Sequence, residues 1–414
     1  MQTYLVGGAV RDALLGLDVT DRDWVVVGET PEAMVAAGFT PVGKDFPVFL
    51  HPKTHEEYAL ARTERKSGPG YAGFTFNTSP NVTLEEDLLR RDITINAIAQ
   101  TADGTLIDPC NGQGDIKART LRHVSPAFVE DPVRILRVSR FMARFAPLGF
   151  SVAAKTADLM REMVNNGEVD HLVAERVWQE MNSALRASAP RAFIETLREC
   201  GALARVLPEV DALFGVPQPD KHHPEIDSGV HTLMVLDQAC ARSTEVDTRF
   251  AALCHDLGKG TTPPEKWPSH HGHEDRGANL TATMTERLRT PKRTRELAIL
   301  AARWHTHVHR VAELRNATLA DLLQSLDPAR RPERFEAFLQ VCESDARGRL
   351  GLEDRAYPQA DLMRAAAATW LSVDAGAIAK ATEDKRRIPE AVREARIRAL
   401  RALRREVCGN KKSD

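Results

Sequence analysis

Asp21-Arg22-Asp23 runs directly into the apolar stretch Trp24-Val25-Val26-Val27. Alternate residues of a strand point the same way, so Asp21 and Asp23 would project together from the strand's start. Two carboxylates that close repel unless a cation lies between them, and hard oxygen ligands suit Mg2+. A few residues earlier, Leu5-Val6-Gly7-Gly8-Ala9-Val10-Arg11-Asp12 reads as a strand, a glycine turn and a helix. Gly7 and Gly8 let the backbone approach a ligand, N–H groups at the helix start suit a phosphate, and Arg11 adds a fork of donors. Each run alone also fits a plain turn. Together they put a phosphate cradle beside a metal site, the arrangement that phosphoryl transfer requires. Glu57 is a third, lower-ranked carboxylate for an adjacent strand.

A second cluster lies far downstream, where ten of the fourteen histidines fall between His222 and His309. His255-Asp256 follows the apolar run Phe250–Cys254 and precedes Gly258-Lys259. An imidazole and a carboxylate from one helix end, with His231 from another helix, suit a first-row divalent metal with open positions. His305 and Asp345 are the downstream candidates. His270, His271 and His273 read instead as an exposed polar loop.

Between these clusters, Asp131 and Pro132 make a good helix start as N-cap and N1. At ~100° per residue, Arg134, Arg137, Arg140 and Arg144 share an arc of about 120° beside the apolar Val138, Phe141, Met142 and Phe145. Four arginines without paired acids repel one another unless an anion is present. Thr83-Leu84-Glu85-Glu86 fits a capping box that would start a helix carrying Arg90 and Arg91 at its end. The Gly-, Ser- and Thr-rich stretch Arg62–Pro80 reads as a mobile loop that closes over substrate.

The elements that must position these groups fall into an α+β pattern. The first ~125 residues mix short β-rich runs (Tyr4–Val6, Trp24–Val27, Val48–Leu50, Tyr58–Ala61) with helical pieces, and from Pro132 onward the periodicity is almost wholly helical. A chain of 414 residues is long enough for two to four domains, and its 43% hydrophobic content is that of a globular protein. No apolar run approaches the ~20 residues of a membrane span, and the start MQTYLVGGAVRD lacks the features of a signal peptide, so a cytoplasmic protein is expected. The six cysteines are scattered, with no C-x-x-C pair, which favours reduced thiols over a disulfide framework. A net charge of −2 argues at first against a nucleic-acid partner, yet residues 385–414 hold eleven Lys/Arg against four Asp/Glu. Arg393, Arg396, Arg398, Arg401, Arg404 and Arg405 line a C-terminal helix that fits either RNA phosphate or a packed cap. We read it as a minor electrostatic contribution to RNA binding.

LVGGAVRDALLG followed by DRDWVVVG resembles the head domain of the bacterial-type CCA-adding tRNA nucleotidyltransferases. Leu88–Ala97 resembles that family's R-R-D-x-x-x-N-A block, and Glu130–Phe141 its E-D-x-x-R block. His255-Asp256 resembles the HD phosphohydrolase motif. The resemblance implies a nucleotidyltransferase head with a mixed β-sheet and helices, an all-α neck and body, and an all-α HD domain. The expected boundaries are 1–125 for the head, 126–215 for the neck and body, 216–370 for the HD domain and 371–414 for the basic helical segment.

It further implies template-independent addition of C, C and A to the tRNA 3′ end from CTP and ATP, with release of pyrophosphate. Asp21 and Asp23 would hold Mg2+, and Gly8, Arg11 and Arg91 the triphosphate. Asp131 and Arg134 would choose the base, with Arg137 and Arg140 supporting it. Cytosine and adenine both show an amino donor beside a ring-nitrogen acceptor, so a carboxylate and an arginine select the two together. His231, His255, Asp256, His305 and Asp345 would hold Ni2+ or another divalent metal for hydrolysis of phosphomonoesters or 2′,3′-cyclic phosphates. The chain would act without a membrane, as a monomer or homodimer. One alternative is a poly(A) polymerase of the same class, against which Gly43-Lys44-Asp45-Phe46-Pro47 departs from the expected G-R-R-F-like run. The other is an HD phosphohydrolase whose N-terminal domain only binds nucleotide or RNA.

Overall fold

The protein is described by a computed structural model over residues 1–42, 48–66, 74–221 and 223–410. Gly43–Pro47 and His222 lie outside the described residues. The chain divides into two compact units, Met1–Val206 and Leu207–Asp414.

The N-terminal unit opens with strands β1 (Gln2–Val6), β2 (Asp23–Val27), β3 (Thr40–Val42), β4 (Val48–Leu50) and β5 (Glu57–Leu60). Then come β6 (Thr63–Lys66), β7 (Phe74–Asn77), β8 (Ala99–Gln100) and β9 (Leu106–Ile107). Seven of these form one sheet in the order β3-β4-β5-β2-β1-β8-β9. The β2–β5 pair is parallel and the other neighbours antiparallel, the mixed sheet expected of the head. Side-chain alternation along β2 sends Val25 to a cluster with Val6, Val82, Leu84 and Leu88, and Val26 to one with Met34, Phe39, Phe49 and Leu60. Asp23 shares the face of Val25 and therefore of the helix Leu84–Leu89.

That helix starts on the expected capping box, with Thr83 Oγ1 accepting from Glu86 N–H at 3.2 Å and Glu86 Oε2 from Thr83 N–H at 2.8 Å. Two local expectations need correction. Within Arg62–Pro80, read as a loop, β6 and β7 pair as an antiparallel ribbon from Thr63↔Asn77 to Lys66↔Phe74, and residues 67–73 lie outside the described residues. The arginine-bearing helix is Val133–Phe145, one residue later than read: Pro132 is its N-cap, while extended Asp131 accepts from Val133 N–H at 3.1 Å. This helix packs against Ala174–Arg186 and Pro190–Glu199.

In the C-terminal unit, helices Ser228–Arg242, Val246–Cys254, His273–Arg287, Lys292–His309 and Pro332–Arg347 pack together. Gly258 follows the second of them, and a Cβ there would lie 2.0 Å from the His273 carbonyl oxygen, so only glycine admits the start of the third helix this closely. The C-terminal helix Ile388–Asn410 is largely a packed cap. Leu400 is fully buried, Arg404 donates to the carbonyls of Val311, Ala312 and Leu314, and the Arg396 guanidinium lies 4.4 Å from the Trp370 ring centroid. Arg398, Arg401 and Arg405 remain exposed. Among the described residues, no helix is long and apolar enough to cross a membrane.

Candidate functional site

Strand register assembles the first site. Val6 pairs with Asp23 in β1–β2, which sets the Gly7-Gly8 turn beside Asp23, and Asp23 pairs with Glu57 in β2–β5. The turn feeds the helix Gly8–Leu14 from Gly7 at φ +66°, a left-handed conformation that favours glycine. A Cβ on Gly7 would stand 3.0 Å from Arg91 Nη1. The residues border a cleft of about 570 Å3 lined by Gly7, Gly8, Arg11, Asp23, Glu57, Arg91, Asp131, Arg134, Arg137, Arg140 and others. Asp21 is exposed, lies two residues ahead of β2 rather than on it, and is not among the lining residues. Burial raises the Asp23 carboxyl above its ordinary range, Arg91 opposes this, and the charge of Asp21 adds to it. A carboxylate raised partly by a neighbouring carboxylate fits a site for a hard divalent cation.

The arginines do not stand unpaired. Arg137 Nε donates to Asp92 at 2.7 Å, Arg140 Nε to Glu180 at 2.5 Å and Arg144 Nη2 to Asp12 at 2.8 Å. This corrects the expectation of four arginines without paired acids: the partners come from other elements, 45, 40 and 132 residues away. Buried Arg11 bonds Asp12 at 2.8 Å and Asn96 Oδ1 at 2.6 Å, and Asn96 in turn donates to Asp92 at 3.1 Å. Burial would raise the Asp92 carboxyl, but Arg137 and its other bonds outweigh this and hold it far below the ordinary range. Arg90 and Arg91 both bond buried Asp87, at 2.9 and 3.1 Å. Burial likewise pushes Asp87 up, and the two guanidiniums bring it down below normal.

Asp131 and Arg134 both line the cleft. Arg134 donates to the carbonyls of Ala127 at 2.9 Å and Arg90 at 2.7 Å. Asp131 takes a two-pronged contact from Arg176, at 3.1 and 2.7 Å. Sequence reasoning missed Arg176, Asp87, Asp92 and Glu180. The visible signals were the acid of the Arg90-Arg91-Asp92 run and the string Glu175-Arg176 at the start of a strongly amphipathic helix.

The second site lies in the C-terminal unit, where His231, His255, Asp256, His305 and Asp345 converge. His231 Nε2 is 3.2 Å from Asp345 Oδ1, His255 Nε2 3.2 Å from Asp256 Oδ2, and His305 Nε2 3.4 Å from Asp256 Oδ1. His273 joins them at 3.3 Å from Asp256 Oδ1, contrary to its reading as part of an exposed loop. Its neighbour His270 is buried too, but its ring nitrogens meet Thr262 Oγ1 and the Pro217 carbonyl, both at 2.9 Å. His271 is exposed.

Nδ1 of His255, His273 and His305 faces the carbonyl of Ala252, His270 and Ala301 respectively, which leaves each Nε2 as a lone-pair donor. Among the described residues, His255 Nε2, His273 Nε2 and Asp256 Oδ1 are buried without a hydrogen-bond partner. Buried polar atoms converging in this way fit a divalent metal. Burial would raise Asp256, but Lys259 and His255 prevail and hold its carboxyl well below normal. Asp345 is lowered against the same burial by His309 and His231.

Residues 3–122 match the poly A polymerase head domain, 149–214 a probable RNA and SrmB-binding site of polymerase A, and 229–333 the HD domain. The multifunctional CCA protein of Thioalkalivibrio sulfidiphilus is 60% identical over 98% of this chain and 99% of its own. That of Methylococcus capsulatus is 59% identical over 98% and 95%. The chain belongs to the multifunctional CCA protein family. As a family member it is a nucleotidyltransferase carrying an HD domain, and both parts imply dependence on divalent metal. The Bacillus stearothermophilus CCA-adding enzyme in complex with CTP has the same fold, with TM-score 0.61 at 23% identity, covering 96% of this chain and 88% of that one. The Thermotoga maritima CCA-adding enzyme complexed with tRNA gives TM-score 0.62 at 20% identity over 96% and 87%.

Proposed function

We propose that the protein adds and repairs the 3′-terminal CCA of tRNA, using CTP and ATP and releasing pyrophosphate. The observation that carries this reading is the register that sets Gly7-Gly8, Asp23 and Glu57 on adjoining strand ends of one arginine-lined cleft. Asp21 and Asp23 would hold Mg2+. When bound, the ion lowers the barrier by favouring the attacking 3′-hydroxylate and offsetting charge on the leaving pyrophosphate. Gly8, Arg11 and Arg91 bind the triphosphate, and Asp87 and Asn96 keep the two guanidiniums in place before it arrives. Asp131 accepts from the base amino group and Arg134 donates to the ring nitrogen, with Arg137 and Arg140 supporting the base. Arg176 orients Asp131.

In the C-terminal unit, His231, His255, Asp256, His305 and Asp345 would hold Ni2+ or another divalent metal, which supplies an activated water for hydrolysis of phosphomonoesters and 2′,3′-cyclic phosphates. The buried thioether-free, imidazole-rich donor set supports a first-row metal there. We assign residues 1–125 to the head, 126–215 to the neck and body, 216–370 to the HD domain and 371–414 to the basic segment, in a cytoplasmic enzyme. The test is tRNA lacking its 3′ end, incubated with each labelled nucleotide. The reading expects C, C and A and then arrest. Long A tails would indicate a poly(A) polymerase, and no incorporation beside intact phosphatase activity would leave only a hydrolase with a nucleotide-binding domain.

A further inference from the structure

The segment ahead of the matched HD region carries a side chain that the metal cluster does not explain. Gln218 is only 2% exposed, although it lies eleven residues before that region begins at 229. Its backbone N–H bonds the Ile226 carbonyl at 2.7 Å, and the preceding Pro217 carbonyl takes His270 Nε2 at 2.9 Å. Gln218 and Pro217 are therefore held from both sides. Closure of the loop holds Ile226 at φ +61°, a costly conformation for a β-branched residue.

The Lys259 ammonium bonds both Gln218 Oε1 and Asp256 Oδ2. A lysine can only donate, so Oε1 must be the atom facing it and Nε2 must carry the free N–H groups. That Nε2 is buried and has no hydrogen-bond partner among the described residues. A buried donor beside an ammonium and a metal-ligating carboxylate calls for an anionic oxygen.

We propose that Gln218, with Lys259, forms a subsite for a phosphoryl oxygen of the hydrolytic substrate. The inference rests on the phosphohydrolase reading of this unit. Gln218 is a binding residue here: its carboxamide spans the lysine on one side and the phosphoryl group on the other. The loop that supplies it thereby extends the HD site beyond its recognised bounds.

The test is calorimetric titration of the full-length, metal-loaded protein with inorganic phosphate, beside a separate metal titration, for the wild type, Gln218→Leu and Gln218→Glu. Gln218→Glu keeps the shape and the bond to Lys259 but removes the N–H. Both variants should weaken phosphate binding about tenfold, the order expected for a hydrogen bond to a charged group, while metal affinity stays within about twofold. KM for a 2′,3′-cyclic nucleotide should rise by the same factor. Unchanged phosphate affinity would mean that water alone fills the site and would overturn the proposal. Parallel losses of phosphate and metal affinity would also overturn it, because Gln218 would then act only through Asp256. A wild-type protein that neither binds phosphate nor hydrolyses phosphoesters would remove the phosphohydrolase reading itself.

Discussion

Arg176→Leu should loosen nucleotide choice more than it slows addition. Arg176 meets both oxygens of Asp131, at 3.1 and 2.7 Å, from a helix 45 residues away. The side chains are 28% and 19% exposed, so the pair is sheltered but not dry. A charge-assisted bond of this kind is worth about 1.5–3 kcal/mol, and partial exposure brings the estimate to the lower end, roughly 1–2 kcal/mol. Leucine fills much of the volume but leaves the Asp131 carboxylate free to turn, so that energy is lost from the orientation proposed to distinguish cytosine and adenine from uracil and guanine. The ratio of kcat/KM for CTP over UTP should fall by about 5–30-fold, since each 1.4 kcal/mol is a factor of ten. The assay is single-nucleotide incorporation into tRNA lacking its 3′ end, with all four nucleotides and a melting curve for each variant. Triphosphate contacts are untouched, so kcat for CTP should change by less than the ratio does. A fall in kcat with unchanged selectivity would refute the assignment and make Arg176 a prop for the helix alone.

Gly7→Ala should cost about 1–2 kcal/mol, because alanine resists φ +66° and its methyl would crowd Arg91. CTP affinity should drop with it, and an unchanged Kd would show that Arg91 does not touch the nucleotide. Asp92→Asn should lower the stability of the N-terminal unit by about 2–3 kcal/mol at neutral pH, less than for a fully buried pair because Arg137 is 39% exposed. The Asp92 carboxyl is depressed in the folded state, so its contribution is full above the unfolded pKa of about 4 and is lost as pH falls towards the folded value. The difference in melting temperature between wild type and Asp92→Asn should therefore shrink between pH 6 and pH 3, and a constant gap would refute the linkage. Asp23→Ala should abolish nucleotide addition and spare phosphohydrolysis, while Asp256→Ala should do the reverse; loss of both activities from either folded variant would contradict two separate sites.

Features fixed by a few consecutive residues were legible in the sequence. The capping box at Thr83–Glu86, the apolar face of Val133–Phe145 and the short strands of the first ~125 residues follow from local pattern, while the mixed sheet they form was implied only by the family resemblance. What pattern could not supply was who answers each charge. Asp12, Asp92 and Glu180 reach their arginines across 132, 45 and 40 residues, and nothing at that separation marks an acid as a partner. The histidines make the same point at short range. His270 and His273 are three residues apart, yet Gly272 at φ +71° turns the chain into a helix at His273, so one ring serves a loop and the other meets Asp256.

These pairings also change what the arginines are for. Unpaired, they would repel one another and need an anion merely to be tolerated. Held by carboxylates, they keep fixed positions without one, and a ligand then meets donors that need no reorganisation. The field is not thereby cancelled. The cleft is lined by nine arginines against five carboxylates, an excess of four positive charges, and it remains two after Asp12 and Glu180 are set against Arg144 and Arg140. On the proposed function, a triphosphate entering that cleft would be attracted by the excess and aligned by the pairs, two effects that a whole-chain charge of −2 conceals.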